Sequence, residues 1–101
     1  MAKTRYYYKD GNPNGQTYRE YDGVLHRLDG PAIEMPDGHF VWYKNGLVHR
    51  ECGPADYYPI GTIYQDKEYN SWYVNGNRIG DTETGMTNEK FLRLMKMKVL
   101  W

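Results

Sequence analysis

The chain carries one cysteine, one serine and no net charge, and each scarcity removes a class of function. Cys52 cannot form an internal disulfide, so a reducing compartment is expected. Ser71 is the only serine, which leaves little material for a serine nucleophile. Thirteen Lys and Arg residues balance thirteen Asp and Glu residues. That balance argues against a dedicated nucleic-acid binder, which shows a basic excess, and against an acidic DNA mimic. No stretch approaches a membrane span, and the opening residues Met1-Ala2-Lys3-Thr4-Arg5 offer no apolar run for a signal peptide. A soluble cytoplasmic protein is the expectation. Leu, Ile and Val are sparse, whereas aromatics make up 16% of the 101 residues and Tyr alone supplies 11. The apolar mass of this one small domain must come from Tyr and Trp, which bury well and keep one polar atom for a partner.

The chain does repeat itself. Residues 19–32 and 42–55 align so that Gly23 matches Gly46, His26-Arg27 matches His49-Arg50, and Gly30-Pro31-Ala32 matches Gly53-Pro54-Ala55, each at an offset of 23 residues. A fixed period of that length marks a repeat architecture. Weaker copies flank the pair: Tyr7-Tyr8-Lys9-Asp10-Gly11 before it and Trp72-Tyr73-Val74-Asn75-Gly76 after it. End copies decay because they face solvent instead of a neighbour.

Asp10-Gly11, Asn14-Gly15, Asp22-Gly23, Asp37-Gly38, Asn45-Gly46 and Asn75-Gly76 are turn pairs of the kind tight hairpins require. Short aromatic and β-branched runs lie between them, such as His39-Phe40-Val41-Trp42-Tyr43. The expected fold is mainly β: an antiparallel hairpin meander in a single sheet over residues 1–80. A linker over 81–85 and a C-terminal amphipathic helix then complete a segment 81–101. Thr87 is the expected N-cap, Phe91, Leu92, Leu94 and Met95 recur at helical spacing, and Lys90, Arg93, Lys96 and Lys98 line the other face. The helix is expected to pack on the sheet. Residues 56–70 hold an insertion relative to the other copies, expected as a longer loop or bulged strand, and insertions into repeats often mark binding surfaces.

The unit Trp42-Tyr43-x-Asn45-Gly46-x-x-His49-Arg50-x-x-Gly53-Pro54-Ala55 resembles a repeat of bacteriophage and giant-virus proteins, and looks like a relative of the MORN repeat, with Arg50 where that repeat has glycine. The resemblance covers residues 7–80, is specific at 19–55, and extends to the Thr87-Asn88-Glu89-Lys90-Phe91 helix start. It implies hairpins stacked into an extended sheet that mediates protein association, and a host component as the target.

No catalytic set emerges. His26 and His49 should lie two strands apart, roughly 9–10 Å, too far to share a metal ion, and no metal or cofactor is expected. The His-Arg pair is expected to be structural, bonding a neighbouring carbonyl or stacking on Trp or Tyr. Cys52 stands where the other copy has Asp29, which is not how a required nucleophile behaves. The aromatic ladder remains, with Trp and Tyr rows on opposite sheet faces. The candidate binding residues are Arg27, Arg50, Trp42, Tyr43, Trp72 and Tyr73, joined by Tyr57, Tyr58 and Tyr64 of the insertion. The leading reading is a non-enzymatic module of bacteriophage type that binds a host protein. The competing readings are a small-molecule or nucleotide-sequestering protein using clustered Tyr, Trp and Arg, and a cryptic enzyme. Neither nucleic acid nor a membrane is an expected partner. Homodimerisation through a sheet edge or the helix stays open.

Overall fold

A computed structural model describes residues 4–9 and 24–97. The Asp10-Gly11, Asn14-Gly15 and Asp22-Gly23 pairs, the arm at 19–22, Lys98, Leu100 and Trp101 lie outside the described residues. Among the described residues eight strands and one helix form, in the order β1 (Arg5–Tyr6), β2 (Ile33–Glu34), β3 (Phe40–Val41), β4 (Tyr43–Lys44), β5 (Leu47–Val48), β6 (Asp56–Tyr58), β7 (Tyr69–Val74), β8 (Asn77–Asp81) and α1 (Asn88–Lys96). Every pairing is antiparallel. The expected meander with a C-terminal helix is therefore what forms. Its strands, however, divide between a six-stranded sheet, β1-β2-β3-β6-β7-β8, and the separate hairpin β4-β5, instead of one continuous sheet.

The division falls at Trp42, inside what reads in sequence as a single run. The Trp42 amide donates to the Ala55 carbonyl at 2.7 Å, while its own carbonyl accepts from the His49 amide at 3.0 Å. The chain thus leaves one set of partners and joins another at this residue. The two hairpins turn as their Asn-Gly pairs dictate: Asn45 and Asn75 have φ of 52° and 50°, and Gly46 and Gly76 of 80° and 82°, the left-handed pair that a tight primed turn needs.

Successive hairpins then stack side by side. Arg27 and Gly46 amides donate to the Tyr43 and Leu25 carbonyls, and one unit later Arg50 and Gly76 amides donate to those of Tyr73 and Val48. Val24 lies against Gly46 and Leu47 against Gly76, where an added Cβ would come within 3.3 and 3.4 Å of the aliphatic side chain. The Gly-Pro-Ala element is explained by burial: Ala32 and Ala55 are fully buried, Ala32 bonded through its amide to Val41 and its carbonyl to Tyr7, Ala55 likewise to Ser71 and Trp42. A larger side chain has no room there.

The first unit is not assembled as the 23-residue offset suggests. Tyr8 bridges to Leu25 as Tyr43 pairs with Val48, and the His26 amide donates to the Tyr7 carbonyl as that of His49 does to Trp42. The arm opposite Val24 to Arg27 is therefore Tyr7 to Lys9, with residues 10–23 between.

The insertion is mostly strand at its ends. β6 and the start of β7 take 56–58 and 69–70, and an exposed excursion spans 59–68, turned by Gly61 at φ 92° and showing Ile60 and Ile63 to solvent. The one register shift of the β7–β8 pair lies elsewhere: Trp72 pairs with Gly80 and Tyr73 with Arg78, so Ile79 of β8 is the extra residue.

The linker at 81–85 holds a hydrogen-bonded turn over 82–85. Asp81 ends β8, is buried, and accepts from the Thr84 amide at 2.8 Å. Thr87 caps α1 as its sequence position indicates, its side chain accepting from the Lys90 amide. Phe91 is fully buried against Trp72 and Val74, with Ile79, Met86 and Met95 around them. A second cluster holds Tyr8, Leu25 and Ala32, flanked by Tyr6, Tyr7, Ile33 and Tyr43. The whole measures 37 × 33 × 19 Å, a slab of stacked hairpins closed at one end by α1.

Candidate binding clefts

The repeated residues act as joints between units. The His26 Nδ1 accepts the amide of Asn45 at 2.9 Å, and the His49 Nδ1 accepts that of Asn75 at 2.9 Å. Each histidine thus holds the positive-φ asparagine of the next hairpin. Because Nδ1 accepts, the ring proton sits on Nε2, where His49 donates to Glu51 at 3.0 Å. The expectation of a structural histidine pointed to a neighbouring carbonyl; the partner is instead a neighbouring amide.

The arginines do both things expected of them. Arg27 lies 4.1 Å from the centroid of the Tyr7 ring and donates to the Pro31 carbonyl at 3.2 Å. Arg50 lies 4.1 Å from the Trp42 ring and donates to the Pro54 carbonyl at 3.1 Å. Such a stack contributes about 0.5–2 kcal/mol, more as it is desolvated. Gly30 and Gly53 make the seat: a Cβ at either would stand 2.7 or 2.9 Å from the guanidinium carbon.

These parts line two clefts that are built alike. The first, about 440 Å³, is bounded by Tyr7, Tyr8, Lys9, His26, Arg27, Leu28 and Asp29. The second, about 240 Å³, is bounded by Trp42, Lys44, His49, Arg50, Glu51 and Cys52, with Arg27 and Leu28 of the preceding unit. Tyr7, Lys9, His26 and Arg27 in one occupy the places of Trp42, Lys44, His49 and Arg50 in the other. Lys9 is exposed, and among the described residues no carboxylate lies within ion-pair distance of it. Lys44 reaches Glu51 only at 4.0 Å. Among the described residues the β7–β8 hairpin does not repeat the cleft. Val74 stands in the lysine position and Gly80 in that of the arginine, and Phe91 of α1 covers Trp72, whose Nε1 donates to Asn88 at 3.1 Å.

The candidate residues are therefore dispersed. Arg27, Arg50 and Trp42 share one cleft wall. Tyr43 turns to the first core cluster, and Trp72 lies under the helix. The expected separation of the Trp and Tyr rows onto two faces is present on β7, where Tyr69, Ser71 and Tyr73 alternate with Trp72 and Val74. Tyr57 stacks on Phe40 at 4.9 Å, opposite in face to Tyr58, which stacks on His39 at 3.9 Å. His39 Nε2 in turn meets Asp56 at 3.0 Å. Tyr58 and Tyr64 both lean on Tyr69 at 6.0 Å. The hydrogen bond to Glu83 pushes the Tyr64 hydroxyl up to about 12.

Lys9, Lys44 and the network around Asp81 escaped the sequence reading. The lysines did leave a signal, since Tyr7-Tyr8-Lys9 and Trp42-Tyr43-Lys44 carry them at the same place. Asp81 accepts from Tyr69 at 2.8 Å and from Arg78. The Tyr69 hydrogen bond, helped by the Thr84 amide and the Arg78 charge and opposed by burial, holds its carboxyl below the ordinary 3.8. A depressed folded-state value means that this ionisation stabilises the protein fully above the unfolded-state value, and that the contribution is lost as pH falls through the folded-state one. Asp81→Asn is expected to lower the melting temperature at neutral pH and to make its decline in acid shallower than that of the wild type. Parallel acid limbs in a calorimetric pH series would show that Asp81 is not coupled to folding.

Among the described residues no group of three or more His, Cys, Asp and Glu side chains converges as metal ligands would, and no helix is long and apolar enough to cross a membrane. No protein-family model, curated protein or solved structure matches the chain.

Proposed function

We propose that this protein is a non-enzymatic binding module of the viral repeat type, acting on a host protein in the cytoplasm. The observation that carries the reading is the cleft built twice. A ring under an immobilised arginine, with a lysine beside it, recurs in successive hairpins at the same place on the slab. Repeating a recognition element along a stacked array suits an extended partner chain that meets equivalent positions in turn. Both arginines are seated in the scaffold by their ring and proline carbonyl, so the lysines are the cleft cations whose charge can be reversed without disturbing it.

Reversing both lysine charges, Lys9→Glu with Lys44→Glu, leaves the joints and cores intact. The wild type is expected to retain one stoichiometric protein from bacterial lysate, and the double variant to lose at least nine-tenths of it at an unchanged melting temperature. Equal capture by both would remove the clefts from recognition.

A further inference from the structure

We infer that the second cleft is completed by a carboxylate side chain of the partner protein, bound between Arg50 and Lys44 at the mouth beside Cys52. This inference rests on the binding-module reading and names the chemistry of its contact. The two units themselves supply the comparison. In the first, Arg27 Nε donates to Asp29 at 3.0 Å, and a second nitrogen lies 3.5 Å from Glu34. Position 29 corresponds to Cys52 and position 34 to Tyr57 at the offset of 23 residues. Both counter-ions are therefore removed in the second unit, although the arginine, its aromatic platform and its proline carbonyl are kept.

The consequence is visible in the hydrogen bonding. Among the described residues no carboxylate lies within ion-pair distance of Arg50, and its Nε is buried with no hydrogen-bond partner. Buried donors to that extent unsatisfied are rare and mark a missing partner. The one acidic residue on the cleft wall, Glu51, is drawn to His49 Nε2 at 3.0 Å and lies at 4.0 Å from Lys44. Lys44 therefore faces the cleft as a second cation whose carboxylate neighbour, Glu51, is shared with His49 and stands at 4.0 Å. Guanidinium and ammonium together select a carboxylate, and the guanidinium donates charge-assisted hydrogen bonds in a fixed direction. The first unit shows which partner geometry that arginine position accepts, because Asp29 already takes it. A cleft of about 240 Å³ admits an acidic side chain on an extended segment.

Cys52→Asp tests this directly, since it returns the first unit's counter-ion to the second and should close the site from within. The probe is a fluorescein-labelled peptide of alternating Glu and Gly, read by anisotropy against its Gln counterpart, with free glutamate and inorganic phosphate as competitors. Wild type is expected to bind the Glu peptide at least tenfold tighter than the Gln peptide, and less tightly as salt is raised. Cys52→Asp should weaken the Glu peptide at least tenfold while melting at or above the wild-type temperature. Cys52→Asn, of the same size without the charge, should weaken it far less. Binding by Cys52→Asp equal to wild type, or equal loss in Cys52→Asn, would overturn the carboxylate site. So would displacement by phosphate at concentrations where glutamate has no effect. If lysate capture persists in Cys52→Asp, the module reading stands and the carboxylate contact falls. If peptide binding follows the pattern above while wild type captures no lysate protein, the contact stands and the host-protein reading falls.

Discussion

Phe91→Ala is expected to destabilise the protein by about 3–5 kcal/mol, the usual cost of truncating a buried phenylalanine. Phe91 is the fully buried residue of α1 and packs on Trp72, their ring centroids 6.5 Å apart and tilted by 40°. For a chain of this size the loss lowers the melting temperature by about 15 °C or more. The helix should fail with it, because nine residues are too few to hold a helix in water without packing. Circular dichroism at 222 nm, followed with temperature, checks both. A variant that melted within a few degrees of the wild type would show that α1 does not close the array.

His49→Ala comes next, at about 2–3 kcal/mol, since truncating a buried group with two hydrogen bonds leaves partners unsatisfied and opens space. His49 is buried, takes the Asn75 amide on Nδ1 and gives Nε2–H to Glu51. His26→Ala should cost clearly less, because His26 is half-buried and makes the same amide contact at the more exposed end of the array. His49→Asn can offer Oδ1 where Nδ1 stood and should recover part of the loss. Chemical denaturation of the three variants ranks them. Equal losses for His26 and His49 would deny the difference in burial any role, and no recovery in Asn would deny the amide contact its share.

Local chemistry made the hairpins and the helix readable. Asn45-Gly46 and Asn75-Gly76 permit few other backbone paths, and Thr87 followed by Phe91, Leu94 and Met95 is a start signal with a matching apolar face. Pairing at a distance was less readable. The strongest sequence match put Arg19 in the position of Trp42, yet the chain uses Tyr7 there. The reason lies in what the position must do. It carries the ring on which Arg27 stacks, and an arginine side chain offers none. The split at Trp42 was hidden for a similar reason, since alternation in a strand says which way a side chain points and nothing about where its amide finds a carbonyl. The Asp81 network depends on a turn that brings Tyr69, Arg78 and Thr84 around one carboxylate, and no spacing in the chain announces it. The clefts were half readable: their arginines and Trp42 were evident, while the lysines that distinguish cleft from scaffold were not.

The histidine joints also decide how long such an array can grow. Each unit presents an acceptor nitrogen and requires, from its successor, an amide at a positive-φ asparagine, so a link propagates as long as both halves are supplied. In the last unit Ile79 takes the histidine position and Gly80 that of the arginine, and the acceptor is gone. Propagation stops there, and the vacated side is taken by Met86 and Phe91. Chain termination is thus written in two residues, and restoring a histidine and arginine at that point, with α1 displaced downstream, describes how the same polymer would be lengthened by one link.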